Sequence, residues 1–191
     1  MKKSIYLFRH GQTFYNRDKI FTGWKDSKLT PLGCKQARMV AKQLKGKEID
    51  VAYHTRLSRS KNTLKEVLKF HPECNVVLVD DRMIERNYGV VQGISHKKYI
   101  SENGIEKFDF YHRDYRSKYP KGESIEMVEK RVNSFVKDII KMIKKDKVNV
   151  AVSAHGNSMR PFRKYFEKLS VKEMMSLENP YDEFFEYEIK C

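Results

Sequence analysis

Strand-like and helix-like segments alternate along this sequence, and the alternation constrains its fold more than any other feature. Short runs of β-branched and other apolar residues predict buried strands at 4–8, 49–53, 76–79, 148–153 and 184–189. Apolar residues at helical spacing predict helices from Thr30-Pro31 to Gly46, at 58–70, from Ser124 to about Lys144 and at 157–169. The stretch from 80 to about 122 is predicted to be irregular. Such alternation favours an α/β fold, a three-layer α/β/α sandwich with a mostly parallel central sheet.

The composition indicates a globular chain of one domain. Eleven Tyr and eleven Phe among 191 residues are too many for a disordered chain. No internal repeat and no linker rich in Gly, Pro or Ser divides the sequence, so we predict a single domain over residues 1–191. No run reaches the roughly 18 to 20 apolar residues that span a bilayer, and the run 5–8 is too short for a signal peptide. We therefore expect neither a membrane protein nor a secreted one.

The charge and the cysteines narrow the class of partner. Lys and Arg number 39 against 25 acidic residues, which gives a net charge of +14. A basic excess attracts anions without saying which, so a Lys-rich solvated surface, a specific anionic substrate and nucleic acid are three alternatives. No nucleic-acid motif accompanies the charge, and we expect no nucleic-acid partner. The three cysteines, Cys34, Cys74 and Cys191, lack metal-binding spacing and predict reduced thiols in a cytoplasm, with no metal.

Two of the predicted strands end in a histidine that is followed by a glycine. The first runs into Arg9-His10-Gly11, and the fourth runs into Ala154-His155-Gly156. Ligand sites collect beyond the carboxyl ends of such strands, and the helix that begins after His155 offers its N-terminal amides to an anion. A single histidine is more often a surface or core residue than a catalyst. Two histidines at strand ends favour a neutral imidazole that attacks a phosphoryl group, with the second histidine and arginines holding its charge.

Arginines accompany these histidines. The planar guanidinium binds a phosphate through two N–H donors and keeps its charge, which makes it the suitable partner for a phosphoryl group. Arg9 directly precedes His10, and Arg56 and Arg59 follow the second predicted strand. At least one of these last two arginines is expected to serve the site.

Acid–base chemistry near a phosphate also needs a carboxyl group. The segment after the third strand offers Asp80, Asp81 and Glu85. Their composition and spacing do not choose among them.

Several short segments together form a pattern typical of one family. RHG at 9–11 and HG at 155–156 resemble the histidine phosphatase superfamily. FTGWKD at 21–26, LTPLG at 29–33, ERNYG at 85–89, GESI at 122–125 and AHGNSMR at 154–160 narrow the likeness to its cofactor-dependent phosphoglycerate mutase branch. These segments run from the first strand to about residue 165 in the family's order. The resemblance implies a phosphoglycerate mutase-like fold.

The resemblance also implies an activity and a set of site residues. A phosphoglycerate mutase interconverts 3-phosphoglycerate and 2-phosphoglycerate through a phosphohistidine, with 2,3-bisphosphoglycerate as the primer and no metal. His10 would be the nucleophile, Glu85 the general acid and base, and His155 a donor to the transferring phosphoryl oxygens. Arg9 and Arg59 would complete the catalytic pocket. The implied substrate contacts are Gly11, Thr13, Asn16, Thr22, Gly23, Arg86, Tyr88, His96, Lys97, Arg113, Gly156 and Asn157.

The chain departs from the mutase pattern in its lid, a compact segment at about 89–122. The family's substrate-holding lysine falls on His96, with Lys97 next to it, so either residue could take that role. A pair of adjacent arginines is represented by His112-Arg113. The C-terminal tail matches no motif. Because the lid keeps water from the phosphoenzyme, a looser lid turns the same site into that of a phosphatase.

Three functions are therefore considered. The first is the mutase, the alternative is a phosphomonoester phosphatase of the same superfamily, and the remote alternative is a non-enzymatic basic protein that binds nucleic acid. The expected partner is a small phosphorylated substrate. Mutases are often dimers or tetramers, which leaves a homo-oligomer open, and no segment of the sequence fixes an interface.

Overall fold

One five-stranded sheet organises the computed structural model, which describes residues 1–191. The strands are β1 (Lys2–Arg9), β2 (Val51–His54), β3 (Val76–Val79), β4 (Val150–Ala154) and β5 (Phe184–Lys190). Their order across the sheet is β3-β2-β4-β1-β5. The first four strands run parallel, and β5 pairs antiparallel with β1 at the edge. The predicted strands and the mostly parallel sheet are confirmed.

Eight helices accompany the sheet. They are α1 (Phe14–Arg17), α2 (Pro31–Leu44), α3 (Ser58–Leu68), α4 (His96–Asn103), α5 (Ile105–Arg113), α6 (Ile125–Asp146), α7 (Gly156–Glu167) and α8 (Val171–Ser176). None of them is long and apolar enough to cross a membrane. The four predicted helices are present, and α1 and α8 are additional short ones.

The prediction that residues 80 to 122 are irregular is wrong, because α4 and α5 lie there. Gly104, at φ +85°, ends α4 and separates it from α5. Helices of eight and nine residues are marginal by propensity alone and depend on tertiary packing. That packing comes from Tyr99 and Phe108, which are buried in an aromatic cluster with Phe21, Tyr88 and Tyr119. A periodicity argument could not foresee contacts that come from other parts of the chain.

Helices cover both faces of the sheet and bury two separate apolar cores. On one face, α6 places Val128, Val132 and Phe135 against Ile5 and Leu7 of β1. The Ser124 side chain caps α6 by accepting from the backbone N–H of Met127, as its position before the apolar stripe predicts. On the other face, residues from α2 and α3 pack on the sheet with Tyr6 and Phe8 of β1. The three-layer α/β/α sandwich is therefore confirmed.

Candidate active site

The adjacent parallel strands β1 and β4 bring the two predicted histidines together. His10 directly follows β1, and its backbone N–H donates to the carbonyl of Ala154 at 3.0 Å. His155 directly follows β4, and the two imidazole rings lie 4.9 Å apart, centroid to centroid. The sheet register, which pairs Arg9 with Ala154, sets this separation.

His10 is held as a neutral imidazole. It is only 1% exposed, and its Nδ1 lies 2.7 Å from the carbonyl oxygen of Gly11. Donation from Nδ1–H to this carbonyl leaves the lone pair on Nε2. Burial, followed by the charges of Arg59 and Arg9, holds the pKa of His10 well below its usual value. The imidazole is therefore neutral at neutral pH, and its Nε2 lone pair is available to an electrophile.

Two arginines flank His10, of which Arg59 is fully buried and Arg9 is half-buried. The Arg9 guanidinium donates to the carbonyl of Asn179 at 2.9 Å and lies 3.9 Å above the ring of Tyr181. Gly156 makes room for it, since a Cβ at that position would come within 3.2 Å of Arg9 Nη2. Arg59 donates to the carbonyls of Gly23 at 2.7 Å and Lys25 at 2.9 Å. Arg56 instead pairs with Asp81 at the surface, so Arg59 is the arginine that joins the site.

Three buried nitrogens around His10 have no hydrogen-bond partner in the protein. They are Nε of Arg9, Nε of Arg59 and Nδ1 of His155. His155 Nε2 lies 2.8 Å from the hydroxyl of Thr55, which in turn accepts from the N–H of Leu57. No acceptor other than Nε2 lies within hydrogen-bond distance of the Thr55 hydroxyl, and when this hydroxyl donates to Nε2 the proton of His155 lies on Nδ1. Buried N–H groups without a partner are costly, and those of Arg9 and Arg59, whose side chains line the cavity, are suited to an oxyanion such as phosphate.

Of the three candidate acids, only Glu85 reaches the cavity beside His10. Its Oε1 accepts the backbone N–H of Arg86 at 2.7 Å and that of Asn157 at 3.2 Å. Asp80 pairs with Arg82, and Asp81 pairs with Arg56. Of the three acids that the sequence could not separate, Glu85 is therefore the one that lies in the cavity.

These groups line one cavity of about 590 Å³. Eleven residues assigned by the resemblance line it: Arg9, His10, Asn16, Thr22, Gly23, Arg59, Glu85, Tyr88, His96, Gly156 and Asn157. Gly11 and Thr13 lie behind the wall, where Thr13 caps α1 by accepting from the N–H of Asn16. His155 is fully buried behind His10 and touches the site through its ring.

Two of the residues predicted to contact substrate from the lid face solvent instead. Lys97 is exposed, whereas His96 lines the cavity with its ring 4.3 Å from that of Phe21. The two are consecutive residues at the start of α4, so they point in different directions. The Arg113 side chain is 76% exposed and pairs with Asp109, while the preceding His112 lines the cavity. Of the two predicted alternatives, His96 is therefore the one that lines the cavity, and His112 takes the place that the prediction gave to Arg113.

Arg86, also predicted to contact substrate, is fully buried outside the cavity and fastens the lid. Its guanidinium donates to four backbone carbonyls, those of Glu123 at 2.8 Å, Ser117 at 2.9 Å, Tyr111 at 3.0 Å and His112 at 3.4 Å. Three of these carbonyls belong to the lid, so Arg86 ties the lid to the segment that carries Glu85.

We expect Arg86→Met to lower the free energy of unfolding by about 3 kcal/mol or more, because it removes a fully buried guanidinium and leaves four partly buried carbonyls without a donor. Urea unfolding followed by circular dichroism measures this loss. Arg113→Met is the matched control, an exposed arginine of the lid whose loss should change stability by about 0.5 kcal/mol or less. Unchanged stability combined with weaker substrate binding would instead restore Arg86 to the substrate pocket.

Sequence reasoning missed several residues of the cavity wall. Lys19, His112, Arg160 and the segment 177–181 all line it. Arg160 lies on α7, three and four residues after Asn157 and Gly156, so helical spacing could have placed it on their face. The segment 177–181 carries no local signal, since contacts from distant residues bring it to the site, among them those with Arg9, Gly156 and Arg160.

A sequence model of the histidine phosphatase superfamily (branch 1) matches residues 5–189. The 2,3-bisphosphoglycerate-dependent phosphoglycerate mutase of Parvibaculum lavamentivorans is 33% identical to the chain over 181 residues, which cover 93% of this chain and 86% of that protein. The corresponding mutase of Methanococcus vannielii is 30% identical over an alignment of 203 residues, which covers 93% of this chain and 86% of that protein.

Solved structures share the fold. A mycobacterial glucosyl-3-phosphoglycerate phosphatase superposes with a TM-score of 0.82 at 23% identity, covering 98% of this chain and 91% of that one. The phosphoglycerate mutase of Bacillus anthracis superposes with a TM-score of 0.79 at 20% identity, and the superposition covers 99% of this chain and 88% of that one. At these identities the likeness establishes the fold alone.

Proposed function

Since the chain belongs to the histidine phosphatase superfamily (branch 1), we propose that it transfers the phosphoryl group of a phosphomonoester through a phosphohistidine at His10. The observation that carries this proposal is the neutral His10 among three buried nitrogens that lack partners, those of Arg9, Arg59 and His155. These groups match a nucleophile and the oxygens of the phosphoryl group that it attacks.

In the first step, His10 Nε2 forms a bond to phosphorus as the bond from phosphorus to the ester oxygen breaks. The leaving oxygen takes a proton from the Glu85 carboxyl group. Arg9, Arg59 and His155 hold the charge on the phosphoryl oxygens by electrostatic stabilisation. In the second step, the Glu85 carboxylate accepts the proton of an incoming hydroxyl, whose oxygen takes the phosphoryl group from His10 and restores the free imidazole.

We propose a phosphoglycerate as the acceptor and donor, so that the chain is a 2,3-bisphosphoglycerate-dependent phosphoglycerate mutase. The support is that relatives carrying this name match 93% of the chain at 30% and 33% identity. 2,3-Bisphosphoglycerate would then serve as the primer that phosphorylates His10. The unpartnered nitrogens beside His10 fit one of its phosphates.

A phosphatase is the second candidate, in which water replaces the acceptor hydroxyl. The observation that favours it is the position of Lys97 and Arg113, two lid cations that face solvent and do not close over the cavity. A phosphoenzyme that is open to water hydrolyses.

A paired assay separates the two functions. Purified protein is given 3-phosphoglycerate with and without a catalytic amount of 2,3-bisphosphoglycerate, and 2-phosphoglycerate and free phosphate are both followed. We expect the primer to stimulate formation of 2-phosphoglycerate with little release of phosphate. Free phosphate without the isomer would assign the phosphatase instead. The absence of both products would contradict both candidates.

A further inference from the structure

Arg160 is a partly buried cation in the wall of the cavity that has no acidic partner. Its Nε donates to the carbonyl of Leu177 at 3.2 Å, and its Nη1 lies 3.5 Å from Asn157 Oδ1. Burial lowers the pKa of the guanidinium, and the charge of the Glu85 carboxylate only partly offsets this effect. One turn further along α7, Arg163 forms an ion pair with Glu167 at 2.9 Å. A desolvated arginine without a counter-ion is costly unless an anion binds to it.

The groups next to Arg160 do not supply that anion. The Glu85 carboxylate is the only buried acid in the cavity wall, and it already accepts two backbone N–H groups. The other acid in the cavity wall, Glu178, is exposed and forms no ion pair with Arg160, and the ionisable side chains across the cavity include Lys19 and two imidazoles, His96 and His112. Burial lowers the pKa of both imidazoles, that of His112 to about 4, so Arg160 and Lys19 carry the positive charge at this end of the cavity.

His112 adds a fixed polar group beside Arg160. Its ring lies nearly parallel to those of Phe108 at 4.9 Å and Tyr88 at 6.0 Å, which hold its orientation. Its Nδ1 is buried without a hydrogen-bond partner. Arg160 and His112 thus present unused hydrogen-bonding positions from two different elements, α7 and the lid.

We propose that Arg160 and His112 form a second anion subsite, which binds the carboxylate of a phosphorylated hydroxy acid while the phosphate lies against His10. The guanidinium supplies the charge, and His112 Nδ1 supplies one further hydrogen bond. This inference rests on the proposed function and deepens it, since it assigns recognition of the carboxylate to α7 and not to the outward-facing Lys97 and Arg113. The substrate is then held at two points, through its phosphate and through its carboxylate.

The test compares two ligands that differ in the carboxylate alone. Titration calorimetry measures the binding of 3-phosphoglycerate and of glycerol 3-phosphate to the full chain, which separates binding from turnover. We expect Arg160→Met to weaken 3-phosphoglycerate about tenfold to hundredfold, as for a hydrogen bond to a charged group. Glycerol 3-phosphate should change by about twofold or less, and Arg160→Lys should recover part of the lost affinity.

Arg163→Met is the matched control, because Arg163 also contacts the segment 177–181 through the carbonyl of Glu178. It should leave the preference for 3-phosphoglycerate unchanged. Equal weakening of both ligands by Arg160→Met, or no preference in the unmodified protein, would overturn the subsite. A selective loss in a protein that forms no phosphohistidine would retain the subsite and reject the proposed function.

Discussion

Replacing His10 with asparagine should abolish the phosphoenzyme. The buried asparagine has no nucleophilic lone pair to take the place of Nε2, so the reaction loses its covalent intermediate. Turnover should fall on the order of 10⁴- to 10⁶-fold, as for other nucleophiles that act as part of a unit. Brief reaction with ³²P-labelled 2,3-bisphosphoglycerate, followed by denaturation in alkali, measures the acid-labile phosphohistidine directly.

His54→Asn is the matched control for this experiment. His54 also ends a strand, and its Nδ1 lies 2.7 Å from the carbonyl of the next residue, Thr55, in the same local arrangement as His10. It does not line the cavity, so its loss should leave labelling intact. Labelling that survives in His10→Asn, or disappears only in His54→Asn, would contradict the proposed mechanism.

Glu85→Gln should slow turnover of 3-phosphoglycerate by about 10² to 10⁴-fold, because the amide cannot give a proton to the leaving oxygen. The substitution keeps an oxygen that accepts from the backbone N–H groups of Arg86 and Asn157, so phosphate binding should remain. The loss should be much smaller with p-nitrophenyl phosphate, whose leaving group departs without a proton. Steady-state rates on both substrates, with vanadate affinity alongside, give the comparison.

The control for Glu85→Gln is Asp81→Asn, an acid of the same segment that pairs with Arg56 at the surface. It should retain both activities. An equal loss on both substrates in Glu85→Gln would point to a positioning role and not to proton transfer.

Features encoded by neighbouring residues could be predicted from the sequence. The strands and long helices follow from periodicity, and the convergence of His10 and His155 follows from the rule for parallel strand ends. Glu85 could be separated from Asp80 and Asp81 only through a resemblance, because three acids in one segment have the same local chemistry. In the structure, Glu85 lines the cavity and the two aspartates do not.

Features that depend on distant contacts could not be predicted. The helices α4 and α5 exist because Tyr99 and Phe108 pack with Phe21, which lies far away in the chain. His96 and Lys97 are neighbours on α4, so their side chains point in directions about 100° apart around the helix axis. Composition alone cannot predict which of the two faces the cavity. Motif matching likewise placed Arg86 on the substrate, whereas its guanidinium is used up by backbone carbonyls.

Arg86 holds the lid in place through the main chain, so the attachment of the lid does not depend on the lid side chains that face the ligand. Its partners are main-chain oxygens of Tyr111, His112 and Ser117, which every amino acid carries. The side chains at these positions can change without removing a single one of those bonds. A substitution at His112 can therefore change which ligand the cavity binds while the lid stays attached. A single substitution in the lid is then enough to change specificity.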